Sequence, residues 1–138
     1  MELADTQTLT NLREALDAAS RGARRLLWFA EQADVEGYPE IAATFRAAAE
    51  IQAGHANGHL EYLAEIGDPD TGLLLRDTGE HLAAAVAAEE IKATTTTPGY
   101  VEVARSEGLE EIAEWFETVG RAQERSVDRL KSGRDGLR

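Results

Sequence analysis

The residues able to do chemistry in this chain sit where apolar residues are expected. Four stretches repeat apolar side chains at steps of three and four, the period of a helix with one buried face. The second stripe reads Ile41, Phe45, Ala48, Gln52, His55, His59, Tyr62 and Ile66. The fourth gives Ile112, Phe116, Val119, Gln123, Ser126 and Leu130, and the third gives Leu82, Val86 and Glu89, followed by Lys92 or Ala93. The first stays apolar through Leu12, Leu16, Ala19, Ala23, Leu26 and Ala30. Polar groups thus fall near the middle of three stripes, where each costs roughly 1–3 kcal/mol if buried without a partner. An imidazole at His55 and a carboxylate at Glu89 are metal-ligand types, and helical bundles often hold metal pairs between such groups. Amides at Gln52 and Gln123, a hydroxyl at Ser126 and an ammonium at Lys92 are not the companions a cation would select.

The elements that must position these residues form a duplicated hairpin. Glu36-Gly37-Tyr38-Pro39-Glu40-Ile41-Ala42-Ala43-Thr44-Phe45 returns as Glu107-Gly108-Leu109-Glu110-Glu111-Ile112-Ala113-Glu114-Trp115-Phe116. Upstream, Leu12, Ala15 and Ala18 return as Leu82, Ala85 and Ala88, at an offset one residue shorter. Such a repeat predicts an all-α four-helix bundle built from two helical hairpins. The helices are expected at about 8–33, 39–66, 78–105 and 109–131. They form one domain over 1–131, followed by a frayed tail over 132–138. Gly37 and Gly108 suit the left-handed residue that closes a helix, and Pro39 suits the first position of the next. Asp77 with Glu80 resembles a capping box, and Gly67-Asp68-Pro69-Asp70 breaks the chain after the second helix.

Composition narrows the function classes. The net charge of −12 argues against a nucleic-acid backbone or an anionic membrane surface as partner. With no cysteine there is no disulfide, thiolate metal site or thiol catalysis. No long apolar run suggests a membrane span, and no secretion leader is evident, so a soluble cytoplasmic protein is expected.

The two Glu-Gly turns, the spacing from Phe45 to His55, and Thr97-Pro98 in place of a Tyr-Pro together resemble the rubrerythrin family of ferritin-like proteins. The resemblance runs from Asn11-Leu12 to about Leu130. It implies two irons that reduce hydrogen peroxide or react with oxygen. It also implies their ligands: a Glu on the first helix, Glu-x-x-His on the second, Glu-x-x-Glu on the third and Glu-x-x-His on the fourth. Carried onto this chain, those positions fall on Ala19, on Gln52 and His55, on Glu89 and Lys92, and on Gln123 and Ser126. Two tyrosines that flank the irons fall on Leu26 and Thr97. One carboxylate and one histidine do not hold a dinuclear centre, and an ammonium beside them repels cations. The di-iron site reads as lost, with no metal, cofactor or catalytic residue expected. The four-cysteine iron domain that many relatives carry is not expected either, since these 138 residues hold no cysteine.

Three function classes follow. A non-catalytic rubrerythrin-like scaffold or binding subunit is preferred, with a protein partner in a larger complex as one outlet. The alternative is an iron-dependent oxidoreductase of the di-iron peroxidase type, or an iron-binding protein, using iron at His55 and Glu89. The third is a small-molecule binder in the space vacated at Ala19.

Finer expectations concern assembly and the old site. The second helix is roughly 42 Å long, and the ten residues after it reach at most roughly 35 Å. A homodimer is therefore expected, its hairpins swapped between chains or packed through the aromatics Trp28, Phe29, Phe45, Trp115 and Phe116. The repeat offset grows from 70 to 71 between Glu89 and Glu107, which predicts a π-bulge or kink within Lys92–Gly99. His55 is expected as a hydrogen-bonded core histidine. Lys92 is expected to replace the lost metal charge in a buried pair with Glu89, with Gln52, Gln123 and His55 around it.

Overall fold

The computed structural model describes residues 2–137, and no strand occurs among them. The helices are α1 (Gln7–Val35), α2 (Pro39–Ala64), α3 (Thr78–Ile91), a π-helical turn (Lys92–Thr96), α4 (Thr97–Ser106) and α5 (Glu110–Asp135). The protein is all-α, made of two helical hairpins, as the repeat predicts. The chain divides after Pro69 into two compact units. Among the described residues no helix is long and apolar enough to cross a membrane.

Unit 1 is the α1–α2 hairpin. Thr6 starts α1 by accepting a hydrogen bond from the Leu9 amide at 3.1 Å. The helix closes in a Schellman motif. Gly37 takes φ +87°, the Tyr38 amide reaches back to the Ala33 carbonyl at 2.8 Å, and the Gly37 amide to Asp34 at 3.2 Å. Pro39 then opens α2 without losing a needed donor. Unit 2 repeats the joint. Gly108 takes φ +77°, the Leu109 amide bonds Ala104 at 2.9 Å, and the Gly108 amide bonds Arg105 at 3.1 Å.

The hairpin seams are made of alanine. Ala30, Ala33 and Ala42 cluster in unit 1, with Phe45 against them. Ala42 and its repeat Ala113 are each fully buried, and Ala33 and its repeat Ala104 are nearly so. Small side chains let the two helix axes approach closely, since interaxial distance depends on what stands at the contact. The same ring pair flanks both seams. Phe29 and Phe45 lie 5.7 Å apart, and their repeats Tyr100 and Phe116 lie 5.3 Å apart.

This seam corrects the stripes read on α2 and α5. The buried residues are Ala42, Ala49 and Leu63 on α2, and Ala113 and Val127 on α5, one position along from the expected set. Ile41, Tyr62, Ile66 and Ile112 are exposed instead. Within each hairpin the closest contact is a narrow line of small residues, whereas the sequence pattern follows the bulky ones beside it. Of the aromatics expected to pack together, Trp28, Phe29 and Phe45 belong to unit 1 and Trp115 and Phe116 to unit 2. Trp28 and Trp115 are 52% and 62% exposed, while Phe29, Phe45 and Phe116 are half-buried.

The ends follow their chemistry with two adjustments. Asp77 accepts from the Glu80 amide at 2.9 Å, one arm of the expected capping box. The return arm lands one residue early, because Glu80 accepts from the Arg76 amide and the Arg76 guanidinium, all at 2.9 Å. The tail placed from Ser132 is also corrected in part, since α5 continues through Asp135. Residue 138 lies outside the described residues.

The expected irregularity in the third helix is present as the π-turn at Lys92–Thr96. Before it Glu89 repeats Ala19 at an offset of 70, and after it Tyr100 repeats Phe29 at 71, so the turn holds the extra residue. The Thr94 hydroxyl donates to the Glu90 carbonyl at 2.6 Å, satisfying an acceptor beside the disturbed register.

Candidate functional site

In unit 1 the family positions are Ala19, Gln52 and His55. Ala19 is packed into the hairpin at 5% exposure. Gln52 lies over Gly22, one turn along α1, its side chain 3.7 Å from where a β-carbon on that glycine would stand. His55 is exposed, which corrects its expected place as a hydrogen-bonded core residue. The reason is the shifted seam: Gln52 and His59 flank the line toward α1, and His55 points off it.

In unit 2 the positions are Glu89, Lys92, Gln123 and Ser126. The Lys92 ammonium donates to Glu89 Oε1 at 3.1 Å, the pairing expected from their spacing on one helix. Full burial is not what is found. The Lys92 side chain is 46% exposed and that of Glu89 is 26% exposed, because Ala93 rather than Lys92 takes the buried place in the seam. Glu89 shares a groove of about 340 Å³ with Gln123, Ser126 and Trp115. The ligand positions of this half are thus brought together on one face.

Gln123 has a partner the sequence reading did not foresee. The Thr97 hydroxyl donates to its carbonyl oxygen at 2.7 Å, and Thr97 is 4% exposed. The Thr97 methyl stands 3.5 Å from where a β-carbon on Gly120 would be, an ordinary contact distance. Two positions that depart from the family pattern, a threonine for tyrosine and a glutamine for glutamate, therefore satisfy one another. The signal available was that both altered residues lie on facing helices of the same repeat. Gln123 is bonded here, not to the Lys92–Glu89 pair around which it was expected.

The site's charges are arranged by arginines and by Lys92. Arg105 binds Glu110 at 2.8 Å and Glu117 at 2.5 Å across the second turn. That guanidinium holds the Glu110 carboxyl below the usual carboxylate range, chiefly by hydrogen bonding. Arg76 does the same to Glu80. Among the described residues, no group of three or more His, Asp or Glu is placed to hold a metal ion. Across both units the family positions offer one imidazole and one carboxylate, the latter already paired with an ammonium. That donor set does not fit a di-iron centre.

Comparison with known proteins bears out the family resemblance. A family model described as Rubrerythrin matches residues 10–131. A rubrerythrin of Nitratidesulfovibrio vulgaris is 30% identical over 148 residues, covering 99% of this chain and 77% of that protein. A rubrerythrin of Porphyromonas gingivalis is 31% identical over 122 residues, covering 86% of this chain and 61% of that protein.

Proposed function

This chain belongs to the rubrerythrin family, and we propose that it keeps the family's helical hairpins as a non-catalytic scaffold or binding subunit without a di-iron centre. The observation that carries this reading is the Lys92 ammonium 3.1 Å from Glu89. It places a fixed positive charge on the one carboxylate left among the family's ligand positions. A cation arriving there would have to displace the ammonium and would find only amide, hydroxyl and imidazole groups at the other positions. Gln123, tied to Thr97, is further support, since its oxygen is already accepting a hydrogen bond.

The test is elemental analysis after aerobic purification, with iron, manganese and zinc counted per chain. Well below one metal per chain is expected. Two tightly bound irons per chain, with peroxide turnover, would establish the competing iron-dependent oxidoreductase and end this reading.

The partner we assign is a second copy of the chain. Among the described residues no large side chain is fully buried, and the alanine seams leave Trp28, Trp115, Ile41 and Ile112 exposed. A helical layer needs a second layer to bury its apolar face. The exposed aromatics are suited to supply it in a homodimer, with hairpins exchanged or packed face to face. The net charge of −12 disfavours nucleic acid and anionic membranes as partners, and the cytoplasm is the compartment this reading assigns. A monomer by light scattering at micromolar concentration would remove the dimer.

A further inference from the structure

A chain built from two copies of one hairpin must distinguish helices that look alike. α2 and α5 are repeats of each other, and so are α1 and the helix formed by α3, the π-turn and α4. The apolar seam gives little help. Ala33 and Ala42 in one hairpin match Ala104 and Ala113 in the other, and the ring pair Phe29–Phe45 matches Tyr100–Phe116. Near the turns, an α1–α5 or α4–α2 hairpin would bring together the same alanines and rings as the correct ones.

The charges beside the seam do differ, and they differ by inversion. In unit 1, Arg46 on α2 reaches Asp34 on α1 at 2.9 Å. Residue 105 repeats residue 34, and residue 117 repeats residue 46, both at an offset of 71. At those places unit 2 has Arg105 on α4 reaching Glu117 on α5 at 2.5 Å. The same ion pair stands at the same joint with its polarity reversed.

We propose that these two oppositely poled pairs are a recognition code that assigns α1 to α2 and α4 to α5, within a chain and between copies. A crossed α1–α5 hairpin would set Asp34 against Glu117 and face Gln123 with Leu26, the repeat of Thr97. A crossed α4–α2 hairpin would set Arg105 against Arg46. It would also leave Glu110 without Arg105, and Glu90, paired with Lys131 at 2.6 Å, would face Leu60 instead. Attraction in the correct pairing becomes repulsion in the crossed one. Exposed ion pairs contribute little in isolation. Discrimination, however, depends on the difference between two pairings, and both joints change sign together. The partner this surface selects is thus a helix of stated charge: basic for the end of α1, acidic for the end of α4.

The test uses the full chain, whose lack of native cysteine makes introduced thiols unambiguous. Ala33→Cys, Ala42→Cys and Ala113→Cys are combined, so that position 33 chooses between position 42, correct, and position 113, crossed. The chain is refolded from denaturant in a thiol–disulfide buffer and the two disulfides are counted by peptide mapping. The short turn at Gly37 already favours the correct pair, so the reading is the change in ratio between variants. Adding Arg46→Glu with Glu117→Arg should move the ratio toward the crossed disulfide about tenfold, the equivalent of ~1.4 kcal/mol. Adding Asp34→Arg and Arg105→Glu as well, with Glu110→Gln to avoid a new like-charge neighbour, should restore it. About 1 M salt should narrow the gap, since it screens exposed charges to roughly 3 Å. A ratio unmoved by the first exchange, a failure of the inverted set to restore it, or an exchanged chain that forms neither disulfide would each overturn the code.

Discussion

The amino-terminal hairpin reaches its turn through one uninterrupted helix of 29 residues, whereas the carboxy-terminal one passes through α3, a π-turn and α4. Yet both arrive with the same glycine closure, the same alanine pair and the same tilted rings. One inserted residue has been absorbed locally, and the helix is back in phase by Tyr100. The polar positions tell the opposite story. Unit 1 offers Ala19, a glutamine lying on Gly22 and an exposed histidine, while unit 2 has an ammonium–carboxylate pair and a threonine–glutamine bond. Backbone closure and close helix approach permit few residues, and both hairpins meet the same demands. Polar side chains need only some partner, so the two halves have found different ones.

The comparison predicts matched losses along the seam. Ala42→Leu and Ala113→Leu each force extra methyl groups into a fully buried place, and each should lose about 1–3 kcal/mol in denaturant unfolding. Unequal losses beyond a factor of about three would break the claim that the two seams are equivalent. Thr97→Val keeps the shape but removes the donor to Gln123, and should lose about 1 kcal/mol. The cost should fall when Gln123→Leu is added, because no acceptor is then stranded.

Lys92→Met separates an internal cation from a half-exposed one. A fully buried pair would lose roughly 3–5 kcal/mol when one partner is removed. With the lysine side chain 46% exposed, a change of about 0–1 kcal/mol is expected in thermal unfolding. A loss in the upper range, recovered by adding Glu89→Gln, would mean that the pair becomes enclosed in the assembled protein.

The smallest effect is acid sensitivity at the starts of α3 and α5. Arg76 and Arg105 depress the Glu80 and Glu110 carboxyls in the folded protein. Their stabilisation is therefore full above the ordinary carboxylate pKa and is lost as pH falls through the depressed values. Glu80→Gln with Glu110→Gln should flatten stability between about pH 5 and 3, read by Trp115 fluorescence in a Trp28→Phe background. A slope unchanged by both substitutions would assign the acid response to other carboxylates.

The all-α fold, the duplicated hairpin, both glycine turns, the Asp77 cap and the place of the π-turn are all legible in the order of residues. Each depends on a local rule: a left-handed glycine, a missing proline donor, a side chain reaching the third amide along, or one residue too many for the helical period. That order also placed Glu89 and Lys92 within reach of each other, because helix spacing fixes such neighbours. Which line of each helix is buried depends instead on packing between helices. The seam follows Ala42, Ala49 and Ala113 rather than the bulky Ile41 and Ile112, since axis separation is set by the smallest residues at the contact. That one-residue rotation exposes His55 on α2, while in the π-turn Ala93 takes the seam place and leaves Lys92 in contact with water. A helical pattern names neighbours three and four apart along one helix, whereas the partner across a hairpin is chosen by packing.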